Sequence, residues 1–183
     1  MNSIKGKKIV VAVTGSVAAY KACDLVSRLL ESEAHPKVIM TESAKKFVSP
    51  LSFESLTGEP VISSLWNSVE DYPATFHISL AEEAECAVVA PATANIIGKL
   101  RCGISDEIVS CFLCAFSKPI LMAPAMNTAM YENPAVQENI AVLKGRGVHF
   151  IDPVVGILAC RTKGIGKMAE PAVIIENIAQ ALS

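Results

Sequence analysis

The fold of this chain is decided by one stretch near its start, Lys8-Ile9-Val10-Val11-Ala12-Val13-Thr14-Gly15-Ser16. Its wholly apolar, largely β-branched centre is typical of a strand buried on both faces, as strands are in parallel sheets. Gly15-Ser16 then ends the strand, and apolar residues with helical spacing predict a helix over 16–33. A strand, a tight turn and a helix in this order predict the first unit of a parallel α/β sheet.

The same alternation continues along the chain. Further strands are predicted at 38–41, 61–64, 86–90, 119–122 and 148–151, and further helices at 49–58, 77–85, 93–102, 106–116, 134–147 and 171–182. His35 is expected in a polar loop, residues 66–75 in an irregular loop, and the glycine-rich segment 156–170 in no regular structure. The order predicts a doubly wound, Rossmann-like parallel sheet in a single domain over 1–183, with a mobile loop at about 156–170.

Composition argues against a nucleic-acid-binding protein, a membrane protein and a secreted protein. The chain carries 16 basic and 18 acidic side chains, so a net charge of −2 gives it no electrostatic reason to bind nucleic acid or an anionic membrane. No apolar stretch approaches the roughly 20 residues of a membrane helix, and the start has no cleavage-like site, so neither a transmembrane segment nor a signal peptide is predicted. Six cysteines without a tight framework predict reduced thiols and a cytoplasmic protein.

Metal binding is not predicted. Cys111 and Cys114 have C-x-x-C spacing but no second pair, so we predict buried helix residues instead of zinc ligands. The three histidines share no metal-like spacing with a carboxylate, and His35 and His149 are interpreted as structural.

Small hydroxyl and amide residues follow the predicted strands, where α/β sheets bind ligands. They lie at Thr14-Gly15-Ser16, at 41–43, at 91–95 and at 123–127. At Gly15-Ser16, backbone amides before a helix favour a phosphate, although an ordinary turn with Ser16 as the helix cap is an equally good interpretation. The pattern is neither G-x-G-x-x-G nor a Walker loop. The Gly15-Ser16 turn and the helix start at Thr93 together favour a phosphorylated ligand other than a dinucleotide or nucleoside triphosphate.

Two further residues are candidates for chemistry. Cys160 lies in a glycine-rich segment with Arg161, Lys163 and Lys167, and these cations would favour its thiolate. We therefore favour a functional cysteine over an incidental thiol on a surface loop. His77 precedes a predicted helix, and its position alone fits a surface residue as well as a catalytic one.

Three segments carry a resemblance to a known family. They are Pro91-Ala92-Thr93-Ala94-Asn95, Pro124-Ala125-Met126-Asn127-Thr128-Ala129-Met130-Tyr131 and the segment from Gly156 to Pro171. The chain resembles the flavin-containing cysteine decarboxylases, and most of all those that act on 4′-phosphopantothenoylcysteine in coenzyme A biosynthesis. The resemblance runs from Lys8 to about Pro171, and the cysteine framed by glycines before Met-x-Glu-Pro is its most specific part.

The resemblance implies a flavoprotein-type fold, an FMN cofactor and a homotrimer or dodecamer with sites at subunit interfaces. It implies FMN binding by Gly15, Ser16, Val17, Thr41, Ser43, Phe47, Thr93, Ala94 and Asn95. It implies His77 and Cys160 as catalytic residues, and Asn127, Ala159, Lys167 and Met168 as substrate-binding residues. The implied reaction oxidises the substrate thiol to a thioaldehyde, releases carbon dioxide to leave an enethiolate, and returns the electrons with a proton from Cys160. The product is 4′-phosphopantetheine.

The chain departs from the family pattern in three places. Arg161 and Phe76 stand where glycine is common, and Lys167 stands where arginine is frequent. The end at Ser183 leads us to expect a stand-alone form without a synthetase domain. Three alternatives stay open: a peptidyl-cysteine decarboxylase, a flavin prenyltransferase and a non-enzymatic phosphatase-inhibitory subunit. Cys160 argues against the first, and Asn127 with Cys160 argues against the second. The third is disfavoured because the sequence shows no acidic tail and has all of His77, Asn127 and Cys160.

Overall fold

A computed structural model describes residues 4–66 and 75–183 of the chain. Its centre is a sheet of five parallel strands in the order β2-β1-β3-β4-β5. The strands are β1 Lys8–Val13, β2 His35–Met40, β3 Cys86–Ala92, β4 Ile120–Pro124 and β5 His149–Phe150. The chain winds from β1 to β2 in one direction and from β1 to β3 in the other. This confirms the predicted doubly wound α/β fold and places its switch point at the carboxyl ends of β1 and β3.

Helices cover both faces of the sheet. They are α1 Tyr20–Glu31, α2 Pro50–Thr57, α3 Phe76–Glu83, α4 Ala94–Cys102, α5 Ile108–Ala115, α6 Thr128–Tyr131, α7 Pro134–Gly145 and α8 Pro171–Ala181. A short 3₁₀ turn, Val17–Ala19, precedes α1, and another, Ala44–Lys46, follows β2. Within the described residues, no helix is both long and apolar enough to cross a membrane.

The core consists of two apolar layers that the sheet separates. Ile9, Val11 and Val13 of β1 pack with α1, α2 and α8 on one side. Val10 and Ala12 of the same strand pack with α3, α4, α5 and α7 on the other side. Because successive strand residues point to opposite faces, the unbroken apolar run over residues 9–13 of β1 is what a sheet covered on both faces requires.

The segment predicted to lack regular structure contains an antiparallel hairpin, so that prediction was wrong. Its strands are β6 Val154–Ile157 and β7 Lys163–Lys167, and Gly156 pairs with Gly164. Backbone pairing needs no particular side chain, and glycine content weakens a strand without forbidding it. Whether the hairpin moves, as we predicted for this segment, stays a prediction.

Two hydrogen bonds attach the hairpin to the loop after β4 and to the start of α6. Met126 N–H donates to the carbonyl of Gly166 at 3.0 Å, and the Thr128 hydroxyl donates to the carbonyl of Ile165 at 2.7 Å. Gly166 has a φ of 133°, and a Cβ at this position would overlap the Met126 carbonyl oxygen. Only glycine therefore allows β7 to lie this close to the loop.

Smaller differences from prediction have local causes. His35 is the first residue of β2, not a loop residue, and Pro36 is tolerated because β2 is an edge strand. The predicted strand at 61–64 contributes a single bridge, between Ile62 and Ile39.

Cys111 and Cys114 lie on α5 as predicted, but on its outer side, where Cys111 is half-buried and Cys114 is exposed. Most of the predicted irregular loop at 66–75 falls outside the described residues.

Candidate active site

A cleft of about 730 Å³ opens at the switch point between β1 and β3. The nine residues that we predicted to bind the cofactor all line it: Gly15, Ser16, Val17, Thr41, Ser43, Phe47, Thr93, Ala94 and Asn95. We call this the first cleft. The structure brings together residues that follow three different strands, as expected when parallel strands end at one edge of a sheet.

Gly15 is needed for the shape of the first cleft. A Cβ at this position would lie 2.5 Å from the Cβ of Ser43 and 3.2 Å from its carbonyl carbon. Such a separation is far shorter than a van der Waals contact between carbon atoms. The loops after β1 and β2 can therefore meet only if residue 15 has no side chain.

Thr14 joins the ends of the two central strands. Its buried hydroxyl donates to the carbonyl of Pro91 at 2.7 Å and accepts from the Thr93 N–H at 3.2 Å. Thr93 in turn caps α4, because its hydroxyl accepts from the Ile96 N–H at 3.4 Å. The sequence places Thr14 among the small hydroxyl residues at the strand ends, but the hydrogen bonds that join β1 to β3 through it are visible only in the structure.

A second cleft, of about 450 Å³, lies beside the first. It contains Asn127, Ala159, Cys160, Lys167 and Met168, so it brings together every residue predicted to bind substrate and one of the two predicted to be catalytic. The two clefts share a wall formed by Ser16, Val17, Ala125 and Met126. A ligand in one cleft would therefore lie against a ligand in the other.

Hydrogen bonds position the thiol of Cys160 in the second cleft. Asn127 Nδ2 donates to Cys160 Sγ at 3.3 Å, and Thr162 Oγ1 lies 2.9 Å from the same sulfur. Hydrogen bonding to Thr162, and secondarily to Asn127, lowers the pKa of the Cys160 thiol. We had predicted an activated thiol but attributed it to Arg161, Lys163 and Lys167. The cause is hydrogen bonding, and the attribution to those cations was wrong.

The turn that carries Cys160 has a left-handed residue after it. Arg161 has a φ of 63°, in the region that glycine adopts without strain. A residue with a side chain pays about 1–2 kcal/mol there, which explains why glycine is common at this place in the family that the chain resembles.

Lys21 is a site residue that sequence reasoning missed. It lies on the buried face of α1 and lines the second cleft, and its ammonium contacts both carboxylate oxygens of Glu170 at 2.8 Å. Lys167 reaches the same carboxylate at 3.3 Å. The bond from Lys21 lowers the pKa of Glu170. A lysine one turn before Leu25 on an apolar helix face was the signal that could have revealed it.

His77 does not lie with the other candidates. It is half-buried on α3 and lines neither of the two clefts. Its neighbour Phe76 lines a separate cavity with Lys8 and His35, at the amino-terminal ends of β1 and β2. The clefts lie at the opposite, carboxyl ends of the strands. Within one copy of the chain, the structure therefore does not bring His77 to Cys160.

Known proteins are similar to this chain over nearly its whole length. The family described as Flavoprotein matches residues 1–183. The coenzyme A biosynthesis bifunctional protein CoaBC of Bacillus subtilis is 44% identical over 174 residues, which are 94% of this chain and 42% of that protein. CoaBC of Vibrio vulnificus is 39% identical over 175 residues, 96% of this chain and 43% of that protein. The chain thus spans less than half the length of these relatives.

Solved structures agree in fold with the chain. A PPC decarboxylase mutant, with cysteine replaced by serine and complexed with pantothenoylaminoethenethiol, has a TM-score of 0.84 and 32% identity, covering 96% of this chain and 98% of that one. The FMN binding protein AtHal3 has a TM-score of 0.80 and 32% identity, covering 96% of each chain. The family match, the fold and the arrangement of the two clefts lead to one conclusion: the chain belongs to the flavoprotein family.

Proposed function

We propose that this protein binds FMN in the first cleft and decarboxylates 4′-phosphopantothenoylcysteine to 4′-phosphopantetheine in the second. The observation that carries the proposal is the shared wall of the clefts, which places a cysteine-bearing site directly against a site of cofactor size. The likeness to CoaBC proteins and to a PPC decarboxylase supports the choice of substrate. Because the chain spans less than half of the CoaBC relatives, the proposal covers the decarboxylation alone.

The first cleft fits FMN in size and chemistry. Its volume of about 730 Å³ falls within the roughly 300–1,000 Å³ of small-molecule sites. Ser16 accepts a hydrogen bond from the Ala18 N–H, so its own hydroxyl proton stays available to a phosphate oxygen. Val17, Phe47 and Met130 provide apolar surface for a ring system. The close approach at Gly15 leaves backbone, not a side chain, facing the ligand.

The second cleft provides a proton donor and a carboxylate partner. FMN, when bound, would supply the two-electron oxidation of the substrate thiol and would later return the two electrons to the decarboxylated product. The resulting thiocarbonyl accepts the electron pair of the breaking carbon–carboxylate bond. Asn127 Nδ2 has two hydrogens, of which one is donated to Cys160 Sγ and the other is available to the substrate carboxylate. Cys160 then protonates the carbon of the enethiolate. The likeness to a cysteine-to-serine PPC decarboxylase mutant that holds an aminoethenethiol supports this order.

The direct test is to incubate the purified protein with FMN and 4′-phosphopantothenoylcysteine. We expect flavin absorbance to co-purify with the protein, and one carbon dioxide to be released per 4′-phosphopantetheine formed. Mass spectrometry of the products and gas measurement follow the two products separately. A protein that takes up no added FMN, or that takes it up and leaves the substrate intact, would refute the proposal.

We further propose that the working unit is a homotrimer, alone or as four trimers, in which His77 comes from a neighbouring copy. Large apolar side chains are exposed around the clefts, with Ile157 76% exposed, Tyr20 62% and Phe47 53%. Apolar groups grouped in this way are typical of surfaces that another protein covers. A second copy over the clefts would also bring its His77 to the second cleft, where the copy that carries the cleft places no histidine.

Mixing two inactive variants tests the shared site. We expect His77→Asn and Cys160→Ser to lack turnover when made separately. Co-expressed, they should form mixed oligomers in which some sites combine an intact His77 with an intact Cys160, so turnover returns to a substantial fraction of the original. Light scattering should report three or twelve copies. Mixed oligomers without turnover would show that both residues act from one chain.

A further inference from the structure

The hydrogen bonds around Cys160 have a fixed member and an adjustable one. Asn127 Oδ1 accepts from the Ala129 N–H at 2.8 Å, as the cap of α6. This bond turns the Nδ2 end of the amide towards Cys160 Sγ, at 3.3 Å, so Asn127 can only donate to the sulfur. The Thr162 hydroxyl, at 2.9 Å, can accept from a thiol or donate to a thiolate. Thr162 is therefore the partner that can follow a change in protonation.

The backbone of the turn holds Thr162 in this place. Leu158 N–H donates to the carbonyl of Thr162 at 2.9 Å, and Arg161 N–H donates to the carbonyl of Leu158 at 2.8 Å. These bonds close the turn between β6 and β7 around Cys160. The hydroxyl is thus presented to the sulfur by the hairpin itself, two residues along the chain.

We propose that Thr162 is a positioning residue that stabilises the thiolate left on Cys160 when its proton is transferred. The proposal rests on the decarboxylase function proposed above. In the transfer, the S–H bond of Cys160 breaks, a C–H bond forms on the enethiolate carbon, and the electron pair of the S–H bond stays on sulfur. The Thr162 hydroxyl turns from accepting to donating as this charge develops. Water then reprotonates the sulfur, because both side chains are exposed within one copy of the chain.

Neighbouring charges do not replace this hydrogen bond. Among the described residues, the charged groups that line the second cleft, or lie within three residues of Cys160 in the chain, are Lys21, Arg161, Lys163, Lys167 and the paired Glu170. Lys21 and Lys167 both contact the Glu170 carboxylate, which offsets part of their charge. Arg161 and Lys163 are exposed, where water screens their effect. Thr162 is also the first cause of the lowered pKa of Cys160.

The test compares Thr162→Val, which keeps the shape of the side chain and removes its hydroxyl, with Thr162→Ser, which keeps the hydroxyl. Iodoacetamide alkylation is followed against pH, and mass spectrometry resolves the peptide that contains Cys160. We expect the midpoint for Cys160 to rise by about one pH unit in Thr162→Val, and to stay near the original in Thr162→Ser. The exposed thiols of Cys102 and Cys114 are internal controls whose midpoints should not move.

A single-turnover measurement separates positioning from a purely structural role. With Thr162→Val, the first release of carbon dioxide should keep its rate, while steady-state turnover falls about tenfold. A general loss of structure would lower both. An unchanged Cys160 midpoint in Thr162→Val, or equal shifts in both variants, would overturn the proposal. The alkylation needs neither flavin nor substrate, so a midpoint that moves in a protein without decarboxylase activity would refute the proposed function and not the role of Thr162.

Discussion

Replacement of Cys160 by serine is expected to divide the reaction into two halves. Cys160→Ser should still release carbon dioxide, because decarboxylation needs the thiocarbonyl as electron acceptor but not the later proton. The reaction should then stop at the enethiol with the bound flavin reduced. A serine hydroxyl is a far weaker acid than a thiol whose pKa is lowered by hydrogen bonds, so we expect steady-state turnover to fall by about 10²–10⁴-fold. Stopped-flow absorbance of the flavin, gas measurement and product mass would follow the steps.

His77→Asn provides the contrast for this experiment. If His77 acts as the base or orients the reacting group before the carboxylate leaves, this variant should bind FMN and release no carbon dioxide. Full turnover by Cys160→Ser would remove the cysteine from the mechanism. A Cys160→Ser protein that releases no carbon dioxide would instead show that the hairpin must be intact before any chemistry starts.

Replacement of Gly15 by alanine should selectively weaken cofactor binding. The new Cβ would overlap Ser43, so the loops after β1 and β2 would have to separate at the first cleft. Overpacking of this kind costs about 1–3 kcal/mol, and if the strain falls on the bound state, FMN affinity should drop about 10–100-fold. Titration of the apoprotein by quenching of FMN fluorescence measures this change.

Gly145→Ala is the matched control for that experiment. Gly145 ends α7, and a Cβ there would meet no atom within 4 Å. Alanine in a helix is favoured over glycine, so this variant should gain up to about 1 kcal/mol in the free energy of unfolding and keep the original FMN affinity. Equal losses of affinity in both variants would mean that the contact with Ser43 does not shape the cofactor site.

The sequence pattern predicted the parallel sheet and the strand-end position of the first cleft, and the resemblance supplied the full set of residues that line it. The apolar run of β1 and the residues after each strand predicted the parallel fold, because a strand buried on both faces leaves a local pattern. Parallel strands end at one edge, so residues as distant as Thr41 and Thr93 could be assigned to one site. The specific decarboxylase assignment and the roles of single residues came from resemblance, and the cytoplasmic location stays a prediction.

Other features depend on contacts that no local pattern records. The β6–β7 hairpin forms through backbone pairing, with Gly156 opposite Gly164, in a segment whose glycine content predicted no regular structure. The acidity of Cys160 depends on Asn127, which is distant in sequence, and on a hydroxyl oriented by the turn. The ion pair of Lys21 with Glu170 joins two helices that are far apart along the chain. Such contacts arise only when the tertiary structure forms.

The division between the two clefts has a consequence for how long the proposed cofactor stays bound. Among the described residues, those that line the first cleft come from the loops after the sheet strands, from α4 and α6 and from the residue before α5, and none comes from the β6–β7 hairpin. The second cleft has Ile157, Lys167 and the turn between them in its wall. If the hairpin moves as predicted, we expect its displacement to release product while the strand-end loops that would hold the cofactor stay in place. Each molecule of flavin would then serve many rounds of catalysis, and its loss would report damage to the sheet edge instead of normal turnover.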